Sequence, residues 1–172
     1  KAQQLEKSTR VKARVKAHAL RELMETKDRL LIMGHRLSDV DSFGAAIGIY
    51  RIATALNKKA HVVINEITSS VRPVMERFLN NQDYPDDLFL NGEQAAELVD
   101  ANTILVVVDV NRPSITDAPQ LLQMVKTIVV LDHHRQSSEI IDNAVLSYVE
   151  PYASSACEMV AEVLQYIADG IR

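Results

Sequence analysis

Apolar residues along this chain gather into short runs instead of spreading evenly. Leu30–Gly34, Ala60–Ile64, Thr103–Val108 and Thr127–Leu131 are rich in leucine and β-branched side chains, and Ala144–Val149 repeats the pattern more weakly. Short runs of this kind, bounded by polar segments, read as strands buried on both faces. Between them, apolar positions recur at helical spacing over Ser42–Leu56, Pro73–Leu79, Gly92–Val99, Ala118–Met124 and Ser154–Ile167, the last with Ser154 or Ser155 as its N-cap. Residues 1–27 read as a further, polar helix that is basic through Lys7, Arg10, Lys12, Arg14, Lys16 and Arg21. Its stripe of Val11, Val15, Ala19 and Leu23, spaced by four, is expected to dock on a neighbour. Gly44 and Gly48 remove bulk along one line of the second helix, which predicts close approach to the sheet or to a ligand. Asn80–Asp87 reads as a solvated surface loop.

Strands alternating with helices predict an α/β fold: a mostly parallel, Rossmann-like sheet with helices on both faces, preceded by an N-terminal linker helix. Right-handed crossovers then put every strand C-terminus on one edge of the sheet, where open α/β folds bind ligands. Three of the strands end in reactive side chains. Leu30–Gly34 runs into His35, Thr103–Val108 into Asp109, and Thr127–Leu131 into Asp132-His133-His134.

Composition narrows the reading. The chain has 172 residues, enough for one domain with a real core plus an appendage. A net charge of −4 offers no broad attraction to duplex nucleic acid or to an anionic membrane. There is no signal-peptide pattern and no apolar stretch of the roughly 18 residues that would span a bilayer, so the piece itself is expected to be soluble. The single cysteine, Cys157, rules out an intramolecular disulfide and is expected to be a small core residue. The chain opens at Lys1 without an initiator methionine, so 1–27 is expected to link from a preceding domain and 28–172 to form the functional one.

The strand ends carry the chemistry. Asp39 and Asp41, two apart in one loop, can hand carboxylates to neighbouring ions, and Asp109 and Asp132 bring the gathering to four. So many like charges in a partly desolvated cleft need protons or cations, and the adjacent imidazoles of His35, His133 and His134 favour a metal. Carboxylate and imidazole donors without thiolate suit Mn²⁺, with Fe²⁺, Co²⁺ or Zn²⁺ as competitors. Two ions about 3.5–4 Å apart would suit hydrolysis of a phosphate ester or anhydride. Singly, Asp39 or Asp41 suits a helix N-cap, Asp109 a turn, and a histidine the core; His18 and His61 are left as structural or surface residues.

The motif His35-x-x-x-Asp39-x-Asp41, the strand-terminal Asp109 and the triplet Asp132-His133-His134 resemble motifs I to III of the DHH phosphoesterase superfamily, over about residues 28–172. Within it, Gly34–Ala45, Val108–Ser114 and Tyr152–Val160 most resemble the cyclic di-AMP phosphodiesterases of the GdpP (YybT) type. The resemblance implies a manganese-dependent, two-metal hydrolase that opens cyclic di-AMP to pApA. It also implies a larger signalling protein held at the cytoplasmic face of the cell membrane. There, upstream regulatory domains would precede this part, and a fourth motif and a DHHA1 domain would follow it. By motif, His35, Asp39 and Asp109 would hold one ion and Asp41, Asp109 and His133 the other. Asp132 would orient a ligand imidazole, and His134 would donate to the scissile phosphate or support a ligand, so that Asp109, His133 and His134 carry the catalysis. Ser154 and Ser155 are candidates for contact with substrate phosphate. A homodimer is compatible with all of this. The rival readings are an oligoribonuclease or exonuclease, an inorganic pyrophosphatase, or a non-catalytic nucleotide-sensing module.

Overall fold

The computed structural model describes residues 2–169. Its centre is a six-stranded sheet in the order β3-β2-β1-β4-β5-β6, with every pairing parallel. The strands are β1 (Arg29–Met33), β2 (Lys59–Val63), β3 (Phe89–Leu90), β4 (Thr103–Val108), β5 (Thr127–Asp132) and β6 (Leu146–Val149). The helices are α1 (Ala2–Glu25), α2 (Val40–Ala55), α3 (Arg72–Leu79), α4 (Gly92–Leu98), α5 (Leu121–Met124) and α6 (Ala156–Ala168). The expected α/β architecture is therefore present, with one strand more than the apolar runs announce. β3 is two residues long, too short to leave a periodic signal, and it pairs only through Val62–Phe89 and Val63–Leu90.

The continuous apolar runs are strands because both faces of the sheet are covered. Leu30, Ile32, Ile104, Val106, Val108, Val129 and Leu131 point into one core with α1, α2, α3 and α6. The alternate residues Leu31, Met33, Leu105, Val107, Ile128 and Val130 point into a second core with α4 and α5. All six residues of β4 are buried, as the centre of a covered parallel sheet requires. The strand order reverses direction between β1 and β4, and the crevice beyond their C-terminal ends is the topological switch point at which such sheets bind ligands.

Helix α1 docks through a different stripe from the one expected. Ala13, Ala17, Leu20 and Met24 are buried, whereas Val11 and Val15 are 43% and 59% exposed. The partner is α6. Two alanines on the contact line let the helix axes approach closely while Leu20 and Met24 fill the space beyond; the valines, chosen on side-chain hydrophobicity alone, lie off that line. The close approach marked by the glycines of α2 is also made to α6, not to the sheet. A Cβ at Gly44 would stand 2.7 Å from Cys157 Sγ, and one at Gly48 would stand 3.0 Å from Leu164 Cδ1. No helix among the described residues is long and apolar enough to cross a membrane.

Candidate metal centre

The first site loop leaves β1 and is tied down on both sides. Asp117 N–H donates to Gly34 O (2.9 Å), Arg36 N–H to Ile115 O (2.8 Å) and Thr68 Oγ1 to Ser38 O (2.7 Å). Asp39 then caps α2, its Oδ1 accepting from Ser42 N–H at 2.8 Å. The capping role that the residue could play by itself is therefore real, and it fixes the carboxylate at the mouth of the switch-point crevice.

Asp41 is held from the other side of the fold. Its Oδ2 accepts from Ala156 N–H (2.8 Å) and its Oδ1 from Cys157 N–H (2.9 Å), the first amides of α6. Burial works against ionisation here, but the backbone donors of Cys157 and Ala156 outweigh it and hold the carboxyl below its usual range. The anion at the α6 N-terminus is thus the protein's own carboxylate. Ser155 Oγ accepts from Glu158 N–H at 3.1 Å as the N-cap, and Ser154 Oγ bonds Glu158 Oε2, so both serines are engaged at that helix end.

Asp109 follows β4 in the left-handed region, with φ 63°, a conformation that few non-glycine residues adopt and that tends to persist at functional sites. Its N–H donates to Leu131 O at 3.0 Å, so β5 holds the turn. Burial pushes its carboxyl up to about 6; the imidazole of His134 opposes the rise, Asp39 and Asp41 add to it, and His133 opposes it. A carboxylate crowded in this way is what a divalent cation would relieve.

The triplet at the end of β5 divides its work. Asp132 is fully buried; its Oδ1 accepts from His134 Nδ1 at 2.7 Å and its Oδ2 from Asn111 Nδ2 at 2.6 Å. The contact suits a His134 Nδ1–H donating to the Asp132 carboxylate, which would leave Nε2 facing outward. His133 Nε2 instead lies 3.1 Å from Asp109 Oδ1. The imidazole that Asp132 orients is therefore that of His134, and the two rings lie side by side with centroids 4.2 Å apart.

These side chains form two donor groups, each with its atoms within 4.8 Å of one another: Asp39, Asp41 and Asp109, and Asp109, Asp132, His133 and His134. Asp109 belongs to both. His35, whose Nδ1 accepts from Leu37 N–H at 2.9 Å, falls in neither group, although it lines the same 300 Å³ cavity as Asp109, Asp132 and His134. Burial, with Arg36 adding to it, lowers its pKa and so favours the neutral imidazole that a metal ligand must be.

Two residues at the site escaped the sequence reading. Asn111 is buried, and its only sequence signal was a polar residue two positions beyond a strand-terminal aspartate. Cys157 is not the simple core residue expected: it is half-buried at the α6 N-terminus, and its thiol donates to Asp41 O at 3.1 Å. Burial, the bond to Asp41 and the nearby carboxylates raise its pKa to about 11, which makes it a poor thiolate donor. His61, in contrast, is a structural residue, buried between Arg29 and Asp87 O, and His18 lies exposed on α1.

Residues 29–172 match the DHH family, N-terminal domain. The chain is 43% identical over 169 residues to cyclic-di-AMP phosphodiesterase GdpP of Geobacillus thermodenitrificans (strain NG80-2), an overlap of 96% of this chain and 25% of that protein. It thus spans about a quarter of the length of the curated relatives it matches. Among solved structures, an exopolyphosphatase-related protein from Bacteroides fragilis superposes with a TM-score of 0.69 at 19% identity, over 89% of this chain and 44% of the other. Exonuclease RecJ bound to manganese superposes with a TM-score of 0.55 at 16% identity, over 93% of this chain and 38% of the other. At these identities the two structures speak for the shared fold.

Proposed function

Because the chain belongs to the DHH family, we propose that it is the phosphoesterase part of a two-metal phosphodiesterase that hydrolyses cyclic di-AMP to pApA. The observation that carries this reading is the membership of Asp109 in both donor groups, as a carboxylate shared between adjacent ions requires. The donor set fits such ions: carboxylates and neutral imidazoles without a thiolate suit Mn²⁺, or Fe²⁺, Co²⁺ or Zn²⁺. His35 joins Asp39 and Asp109 at one position; Asp41, Asp109 and His133 serve the other. When bound, the ions supply Lewis-acid polarisation of a phosphoryl group and an acidified water for in-line attack.

The chain's own residues do the rest. The α6 amides keep Asp41 ionised and aimed, and the strained turn at Asp109 presents its carboxylate to both positions. Asp132 orients His134 with Nδ1–H as the donor, which leaves Nε2 for the substrate side of the crevice. As part of a longer, membrane-held signalling protein, this domain would act with a DHHA1 partner that completes the cleft. Upstream regulatory domains would reach it through α1 at the cytoplasmic face of the membrane.

The test is to compare the full-length protein with its Asp109→Ala variant, both with Mn²⁺, on cyclic di-AMP, inorganic pyrophosphate and short single-stranded RNA. Loss of a shared ligand should lower the rate on cyclic di-AMP by about a hundredfold or more. Equal rates for variant and wild type would overturn the mechanism, and preference for pyrophosphate or RNA would overturn the substrate.

A further inference from the structure

The cavity beside the acidic centre is lined by groups of both signs. Its lining brings His35, Asp109 and His134 together with Asn111, Arg112 and Arg135. Arg112 comes from the turn after β4 and Arg135 from the residue that follows the triplet, so the same two strand ends that supply acids to the centre supply a guanidinium each to its flank. Arg112 Nη2 lies 3.6 Å from Glu139 Oε2, while Glu139 Oε1 accepts from Ser114 N–H at 2.8 Å. Glu139 therefore clips the 135–143 loop to the 112–115 turn and steadies Arg112 from one side. A guanidinium has five donors in a planar fork, so one carboxylate contact leaves most of them free, and about half of the side chain remains exposed. Arg135 has no ion-pair partner among the described residues.

We propose that Arg112, steadied by Glu139 and assisted by Arg135, forms a second phosphate subsite beside the metal centre, which selects substrates carrying two phosphates in preference to one. The proposal rests on the phosphoesterase reading and deepens it. The phosphate that reacts sits over the carboxylates, where only cations can offset the charge; a second phosphate, one nucleotide away, meets the two guanidinium groups. A planar fork recognises the paired oxygens of a phosphate far better than a point charge does. Lysine at 112 should therefore be a partial substitute at best.

Equilibrium binding tests this without turnover. Titrate the Mn²⁺-loaded protein calorimetrically with adenosine 3′,5′-bisphosphate and with adenosine 5′-monophosphate, for wild type, R112K, R112A and E139Q, after confirming that each variant binds Mn²⁺ and melts as the wild type does. Wild type should prefer the bisphosphate by about tenfold or more, the scale of one charge-assisted contact. R112A should erase that preference while leaving the monophosphate affinity within about twofold, and R112K and E139Q should retain part of it. A wild type without preference, or a preference that survives R112A intact, overturns the subsite. Failure of wild type to open cyclic di-AMP, with the bisphosphate preference present and lost in R112A, would instead overturn the substrate reading and leave the subsite standing.

Discussion

The Asn111–Asp132–His134 chain allows a test in which two adjacent truncations of one hydrogen bond should have unequal costs. Asn111→Ala leaves Asp132, fully buried, with one of its two side-chain donors gone. A buried carboxylate that loses a neutral donor forfeits a charge-assisted hydrogen bond, about 1.5–3 kcal/mol. Asp132→Ala removes that charge altogether. His134 is 56% exposed and can turn to water, so the only group left orphaned is the Asn111 amide, which keeps a 3.3 Å contact to His134 O. That change should cost about 1–3 kcal/mol, and relief of repulsion with Asp109 in the same donor group lowers it further. Both variants keep the backbone bond from Ile141 N–H to Asn111 O, so the loop anchor is common to them. Urea unfolding of the metal-free protein, followed by far-UV circular dichroism, should rank Asn111→Ala as the more damaging. The double variant should lie close to Asp132→Ala alone, with a coupling of about 1.5–3 kcal/mol. If Asp132→Ala proved the more destabilising, or the two costs simply added, the buried charge would not be what Asn111 is there to satisfy.

Two further outcomes follow from the packing and the electrostatics around the site. Gly44→Ala gains about 1 kcal/mol of helix propensity but drives its Cβ to 2.7 Å from Cys157 Sγ, and crowding of that kind costs about 1–3 kcal/mol. The variant should melt lower than wild type, and adding Cys157→Ala should reverse the sign, whereas a stabilised single variant would show that the α2–α6 contact is slack. Burial raises the carboxyl of Asp117 from 3.8 to about 6, against the pull of the Asn65 and Glu66 backbone N–H groups. Between those values the folded chain holds a proton that the unfolded chain has released, so this group's stabilisation is complete below pH 3.8 and is lost as pH rises through about 6. The span corresponds to at most about 3 kcal/mol, and screening brings it nearer about 1–2 kcal/mol. Thermal melts of wild type and Asp117→Asn at a series of pH values should show the wild type losing ground to the variant as pH rises across that window, and parallel profiles would refute the assignment.

Much of this protein was legible in the order of its residues. Uncharged β-branched runs buried on both faces have few alternatives to a parallel sheet, and the sheet's handed crossovers oblige the chain to bring His35, Asp109 and Asp132 to one edge from distant positions. The motifs themselves pointed to the proposed chemistry, because carboxylates beside imidazoles at one sheet edge form a donor set that a cation could occupy. What the order could not convey depends on which surfaces meet. Ala13 and Ala17 carry α1's contact with α6 because small residues permit closeness, a property that hydropathy does not register and that has meaning only once α6 is opposite. The same is true of Gly44 against Cys157. Asp41 is pinned by amides more than a hundred positions away, Asn111 satisfies Asp132 across two strands, and Asp132 turns to His134 although His133 is its neighbour in sequence. Local pattern determines which segments become strands and helices, because backbone preference and burial periodicity act over a few residues. Hydrogen bonds at the site are decided by directions and distances across the fold, and these exist only after the chain has closed.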